Sequence, residues 1–132
     1  MRAGGVGNFE NDDALDWVSE LERAKNSSFL VETLRIVTER GDEYLEIPEA
    51  CRALAAAEVV AALKHAANPV LPLEVKQWVR KHPVASASLS ELAVKAVQRV
   101  ATASELNELW DESERASEWY DVIDDLEMRL KG

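Results

Sequence analysis

Apolar residues recur every three or four positions along most of the chain, the spacing of one face of an α-helix. The pattern predicts helices over residues 12–24, 28–40, 48–67, 72–81 and 105–130, and one more after Ser88-Leu89-Ser90-Glu91. No alternating strand pattern accompanies them. We therefore expect an all-α, single-domain bundle over residues 1–132, with about six helices around a central Ala-rich helix. Residues 1–11 form a Gly-rich N-terminal arm in this prediction.

Polar residues predict where several helices begin. Asn11 or Asp12 caps the first helix, whose buried stripe consists of Leu15, Val18, Leu21 and Trp17. Pro48 takes the favoured first position of the third helix, Ser88 to Glu91 is a capping box, and Ser104 caps the last helix. The acidic stretch 111–114 interrupts that last apolar stripe. Periodicity leaves open whether residues 104–130 form one helix or two, the second recapped by Ser113.

The stretch 50–67 is apolar nearly all round, which is typical of a helix buried on every side. Its many alanines allow neighbouring helices to approach closely. We therefore place it at the centre of the bundle. No run elsewhere approaches the roughly 18–20 apolar residues that a membrane span needs.

Composition narrows the class of protein. The 132 residues suffice for one hydrophobic core, and a single cysteine, Cys51, excludes an internal disulfide. Cys51 lies in an apolar stretch, where a small buried side chain is the more usual role than a nucleophile. With no apolar leader after Arg2, we expect a cytoplasmic protein.

The net charge of −10 is concentrated near the end of the chain, since residues 104–132 hold ten acids and three bases. An acidic surface disfavours both nucleic-acid phosphates and anionic lipid. A protein partner with a basic surface fits better, although an acidic tail also serves solubility alone.

The opening block carries the one candidate site. Its glycines follow no strand and precede no GK[ST], so a phosphate loop is not indicated. Carboxylates at close spacing could instead bind Ca²⁺ or Mg²⁺, with Asp12 and Asp16 on one helical face. Capping and the helix dipole explain the same acids without a metal, and we expect no cofactor. The candidate residues are Asn8, Phe9, Glu10, Asn11, Asp12, Asp13, Asp16 and Trp17.

Other chemistry-bearing residues have structural explanations. His65 lies late in the buried helix and His82 at a helix end, and neither has a partner four residues away as a zinc helix needs. The serines fall at caps and turns. Core packing is expected for all four tryptophans: Trp17, Trp78, Trp110 and Trp119.

The opening block resembles that of a bacterial family, domain of unknown function 4259. The likeness rests on Gly5, Gly7, Phe9, Glu10, Asn11, Asp12, Ala14, Asp16 and Trp17. It continues through residues 44–46 and 55–63, the segment Ser104 to Trp110, and the final helix. The chain departs from the family at Arg2, where the family has Gly, and at Gly4, where it has Trp. The resemblance implies an all-helical fold and, without that tryptophan anchor, loosely held first residues.

The sequence supports two functions of different class. The favoured one is a non-catalytic interaction protein, immunity-type or regulatory, whose acidic helices cover a basic partner. The alternative is a metal-assisted or small-molecule-handling enzyme built on the opening block. The oligomeric state is left open.

Overall fold

A computed structural model describes residues 4–82 and 85–132, which contain seven α-helices and no β-strand. The all-α prediction is confirmed. The helices are α1 (Asp12–Leu21), α2 (Ser28–Thr38), α3 (Ile47–Leu63), α4 (Leu73–Arg80), α5 (Ala87–Thr102), α6 (Glu105–Asp111) and α7 (Ala116–Lys131).

Helix α3 contacts each of the six other helices, and nearly all of its residues from Ala50 onward are buried. Its alanines carry no side chain beyond Cβ, so α2 and α5 pack close to its backbone. The helix begins at Ile47, one residue before the predicted start, with Pro48 in its first turn and Glu46 as its cap.

The end of α3 corrects the predicted boundary at residue 67. The backbone of His65 has φ +65°, which leaves the right-handed helical region after Leu63. The His65 N–H donates to the Ala62 carbonyl at 3.0 Å, and the Ala66 N–H to the Ala61 carbonyl at 2.9 Å. These two bonds close the helix in the manner usually associated with glycine. His65 is therefore exposed beyond the helix, not inside it.

The acidic stretch after Trp110 divides the C-terminal region into α6 and α7, which settles the question that periodicity left open. Ser104 caps α6 as predicted: its Oγ accepts from the Asn107 N–H at 3.0 Å, and Asn107 Oδ1 accepts from the Ser104 N–H at 2.7 Å. Ser113 does not cap α7. Its Oγ accepts from the Arg115 N–H at 3.0 Å within the turn, and Arg115 itself holds the cap position.

Two other local predictions are wrong. Leu15 is 47% exposed, because the buried face of α1 is rotated toward Ala14, Trp17, Val18 and Leu21. Helix α5 begins at Ala87 instead of after Ser88, since Ser86 Oγ accepts from the Leu89 N–H at 3.1 Å. The Ser88 to Glu91 pattern therefore lies inside the helix.

One hydrophobic cluster draws on all seven helices. The four tryptophans are buried in it, as expected, and Trp110 stacks with Trp119 at a ring-centroid distance of 6.3 Å. Within residues 4–82 and 85–132, no helix has the length and apolar character to cross a membrane.

The start of α5 gives a direct test of the corrected cap. Ser86→Ala removes the side-chain acceptor for the Leu89 N–H and is expected to cost about 1 kcal/mol of unfolding free energy. Ser88→Ala is the matched control: it lies on the exposed side of the first turn and is expected to be neutral or to stabilise by up to about 0.5 kcal/mol. Urea unfolding measures both. A larger loss for Ser88→Ala than for Ser86→Ala contradicts the assignment.

Candidate functional site

The chain before α1 folds into a tight loop over residues 4–10. The Gly5 N–H donates to the Glu10 carbonyl at 3.0 Å, and the Glu10 N–H donates to the Gly7 carbonyl at 3.1 Å. The Glu10 carboxylate accepts from the Gly7 N–H at 2.9 Å. Gly4 has φ +71°, and a Cβ atom there would overlap the Glu10 carbonyl oxygen. A residue with a Cβ atom at position 4 therefore does not fit this turn.

Asn8 is the residue through which this loop reaches the protein interior. Its side chain is buried, with 3% exposed, and its Nδ2 donates to Glu58 Oε2 at 2.8 Å. A carboxylate only accepts, so the amide nitrogen must face it. Among the described residues, Asn8 Oδ1 is the one buried side-chain oxygen or nitrogen without a hydrogen-bond partner.

Glu58 is the centre of the polar cluster and lies in the middle of α3 with no exposed surface. Arg129 of α7 binds it with two hydrogen bonds, Nη1 to Oε1 at 2.9 Å and Nη2 to Oε2 at 3.1 Å. Asn68 Nδ2 donates to Oε2 at 3.3 Å. The carboxylate therefore joins the N-terminal loop, α3, the segment after α3, and α7.

Arg129 is held by further contacts. Its Nε pairs with Asp125 at 2.8 Å and its Nη1 donates to the Ala66 carbonyl at 3.1 Å. Burial by itself lowers the pKa of Arg129, but the hydrogen bonds and nearby charges of Glu58 and Asp125 outweigh it, so the pKa is raised. Arg129 is a fixed cation inside the protein.

The other residues of the predicted site do not converge with Asn8. Phe9 packs against the core, Asn11 Oδ1 accepts from the Ala14 N–H at 2.8 Å as the α1 cap, and Trp17 Nε1 donates to Thr33 Oγ1 at 2.8 Å. The acids lie elsewhere: Asp12 and Asp13 in the first turn of α1, Asp16 and Glu10 exposed at the surface. In the described ranges, no three His, Cys, Asp or Glu side chains come together as a metal site.

A small cavity lies beneath the loop. Its volume is about 10 Å³, and it is lined by the loop from Gly5 to Asn8 together with Cys51, Trp110 and Trp119. A cavity of this size is at the lower limit for one water molecule. Burial, reinforced by Asp13, raises the pKa of the Cys51 thiol to about 12. The space offers no room for a substrate, and the raised pKa of the Cys51 thiol favours its protonated form at neutral pH.

Glu58 and Arg129 are absent from the sequence-based candidates. The sequence did contain a signal for Glu58, because it is the one acid within the apolar stretch 50–63 of a helix predicted to be buried on every side. A buried acid needs a charged or hydrogen-bonding partner. Nothing in helical periodicity selects which of the distant cations supplies it, so Arg129 could not be predicted.

Cys51 reports whether the loop is closed. Because the thiol is 2% exposed with a raised pKa, we expect native protein at pH 8 to react with a disulfide reagent at least about 100-fold more slowly than protein in urea. Asn8→Ala removes the bond to Glu58 and is expected to speed native labelling by about tenfold. Ser19→Ala, on the exposed side of α1, is the control and leaves the rate unchanged. If Cys51 is labelled at the same rate in Asn8→Ala and in the parent protein, the hydrogen bond from Asn8 to Glu58 does not hold the loop closed.

Comparison with known proteins confirms the family resemblance that was based on the opening block. No curated protein and no solved structure matches the chain. Residues 3–121 match one family, described as domain of unknown function (DUF4259), a range that includes Asn8 and Glu58 and ends before Arg129. Of the two positions at which the sequence predicts a departure from the family, Gly4 lies in the described loop, whereas Arg2 and the expected looseness of the first residues fall outside the described residues. The chain therefore belongs to the DUF4259 family.

Proposed function

We propose that the protein is a small non-catalytic interaction domain, immunity-type or regulatory, that binds a basic protein partner through the exposed face of α7. The proposal rests on where the acids lie. Residues 104–132 hold ten acids and three bases, so this segment carries most of the net charge of −10 of the whole chain. That segment contains α6 and α7.

Helix α7 has one buried side and one acidic side. Trp119, Ile123, Leu126 and Leu130 are buried in the core. The opposite side exposes four carboxylates on successive turns: Glu118, Asp121, Asp124 and Asp125. It ends with Met128, which is 70% exposed. Residues three or four apart are neighbours on a helix, so these side chains form a continuous acidic face. These four acids and Met128 together make up the α7 face.

The pairing of these acids carries the proposal. Glu118 pairs with Arg115 at 2.9 Å, and this hydrogen bond lowers the pKa of Glu118. Asp125 pairs with Arg129, whose other hydrogen bonds go inward to Glu58. Asp121 and Asp124 form no ion pair in the described part of the chain. Like charges at this spacing repel one another, and a basic partner relieves that repulsion while steering association.

The remainder of the bundle serves as a support in this proposal. The Ala-rich α3 is its central helix, and the Gly-rich arm before α1 is fixed to it through Asn8. We also infer a cytoplasmic location, which suits a chain whose single cysteine forms no internal disulfide.

Two double variants, each of which removes two negative charges, test the proposal. Asp121→Asn/Asp124→Asn removes two exposed, unpaired acids from the α7 face, and Glu20→Gln/Glu22→Gln removes two exposed acids at the end of α1. Partners captured from the organism's extract by the unaltered protein are identified, and the affinity of each purified partner is then measured. At about 0.2–1 kcal/mol for each exposed pair, we expect roughly 2- to 30-fold weaker binding for the α7 pair and little change for the α1 pair.

Ionic strength gives a second reading of the same experiment. Exposed charge pairs are screened by salt, so binding should weaken steadily between low and physiological salt. A partner that binds both variants equally, or the absence of any partner, overturns the proposal.

A further inference from the structure

A groove of about 630 Å³ lies where α5 passes the ends of α3 and α7. Ala87 and Val94 of α5 provide apolar surface within it, and the buried Leu130 of α7 lies beneath them as part of the hydrophobic core. The volume falls within the roughly 300–1,000 Å³ of small-molecule sites. The groove is far larger than the cavity beneath the N-terminal loop, and no residue of the α7 face lines it.

The charge of the groove is opposite to that of the protein. Three lysines line it, Lys64, Lys95 and Lys131, against one acid, Glu91, in a chain whose net charge is −10. The three lysines are far apart in the sequence: Lys64 directly follows α3, Lys95 lies in α5 and Lys131 is the last residue of α7, and the fold brings them together.

The three ammonium groups differ in what they already contact. Lys64 Nζ donates to the backbone carbonyls of Leu130 and Gly132, and so offsets the partial negative charge at the end of α7. Lys131 pairs with Glu127 at 2.7 Å. Lys95 is exposed and forms no hydrogen bond or ion pair within the described ranges. Lys95 is therefore the cation most available to a ligand, and Glu91, one turn before it on α5, is the acid that opposes an anion.

We propose that this groove binds an anionic amphiphile, a carboxylate with an unbranched apolar tail. The carboxylate lies at Lys95 and Lys131, and the tail lies along Ala87 and Val94. Apolar surface beside a cationic rim suits this class of ligand, because burial of the tail supplies affinity while the ammonium groups select the sign of the headgroup. The proposal uses other residues than the α7 face and does not depend on a protein partner.

Three ligands separate the contributions of head and tail in calorimetric titration, each below its micelle concentration. Decanoate is expected to bind with one molecule per chain. Decyltrimethylammonium, with the same tail and the opposite charge, and butyrate, with the same head and a short tail, are each expected to bind at least about tenfold more weakly. Pentaglutamate is a fourth ligand, and its binding in place of decanoate identifies the groove as a site for acidic peptides and overturns the proposal.

Single substitutions then locate the site. Lys95→Ala is expected to weaken decanoate binding by about 2- to 5-fold, and Glu91→Gln to tighten it by about 2- to 5-fold, since it removes the opposing charge. Lys76→Ala, an exposed lysine of α4 outside the groove, is the matched control and leaves the affinity unchanged. The gain expected for Glu91→Gln cannot come from a damaged fold. Decanoate that does not bind, or that binds all variants equally, overturns the proposal.

Discussion

The carboxylate of Glu58 has no access to solvent, so its charge must be balanced inside the protein. Arg129 balances it with two hydrogen bonds, and Asn8 and Asn68 donate to the same oxygen atom. These partners are 50, 10 and 71 residues away along the chain, for Asn8, Asn68 and Arg129 in turn. One buried charge thereby specifies how the N-terminal loop, α3 and α7 are arranged relative to one another.

The rest of the structure depends on that arrangement. Alanines surround Glu58 on α3, so neighbouring helices approach closely enough to exclude water from it. Arg129 draws the last turns of α7 against α3, and the buried stripe of α7 then turns its acids outward. The same placement brings Lys131 beside Lys64 and Lys95 at the groove. The acidic α7 face and the cationic groove are both consequences of how α7 is held.

Sequence reasoning succeeded where local chemistry decides the outcome. Helical periodicity predicted the all-α class, and Ser104 caps α6 as expected; the acidic interruption after Trp110, which left one helix or two open, coincides with the break between α6 and α7. It failed where tertiary contacts decide. Ser86 was overlooked in favour of a capping-box pattern two residues later, and His65 ends α3 although glycine usually takes that conformation. Of the eight candidate site residues, Asn8 alone reaches the polar cluster around Glu58. Sequence spacing could not single it out, because its partner Glu58 lies 50 residues away on α3.

A double-mutant cycle on Glu58 and Arg129 tests the central claim most directly, with the free energy of unfolding measured in urea. Arg129→Met leaves the Glu58 carboxylate buried without its cation and is expected to lower the free energy of unfolding by about 3–5 kcal/mol. Arg129→Lys keeps the positive charge and is expected to lower it less. Glu58→Gln is expected to cost less, because Arg129 retains Asp125 and the Ala66 carbonyl. We expect the double variant Glu58→Gln/Arg129→Met to lose about 2–3 kcal/mol less unfolding free energy than the sum of the losses of the two single variants. Losses that add to within about 0.5 kcal/mol would show that this ion pair does not organise the fold.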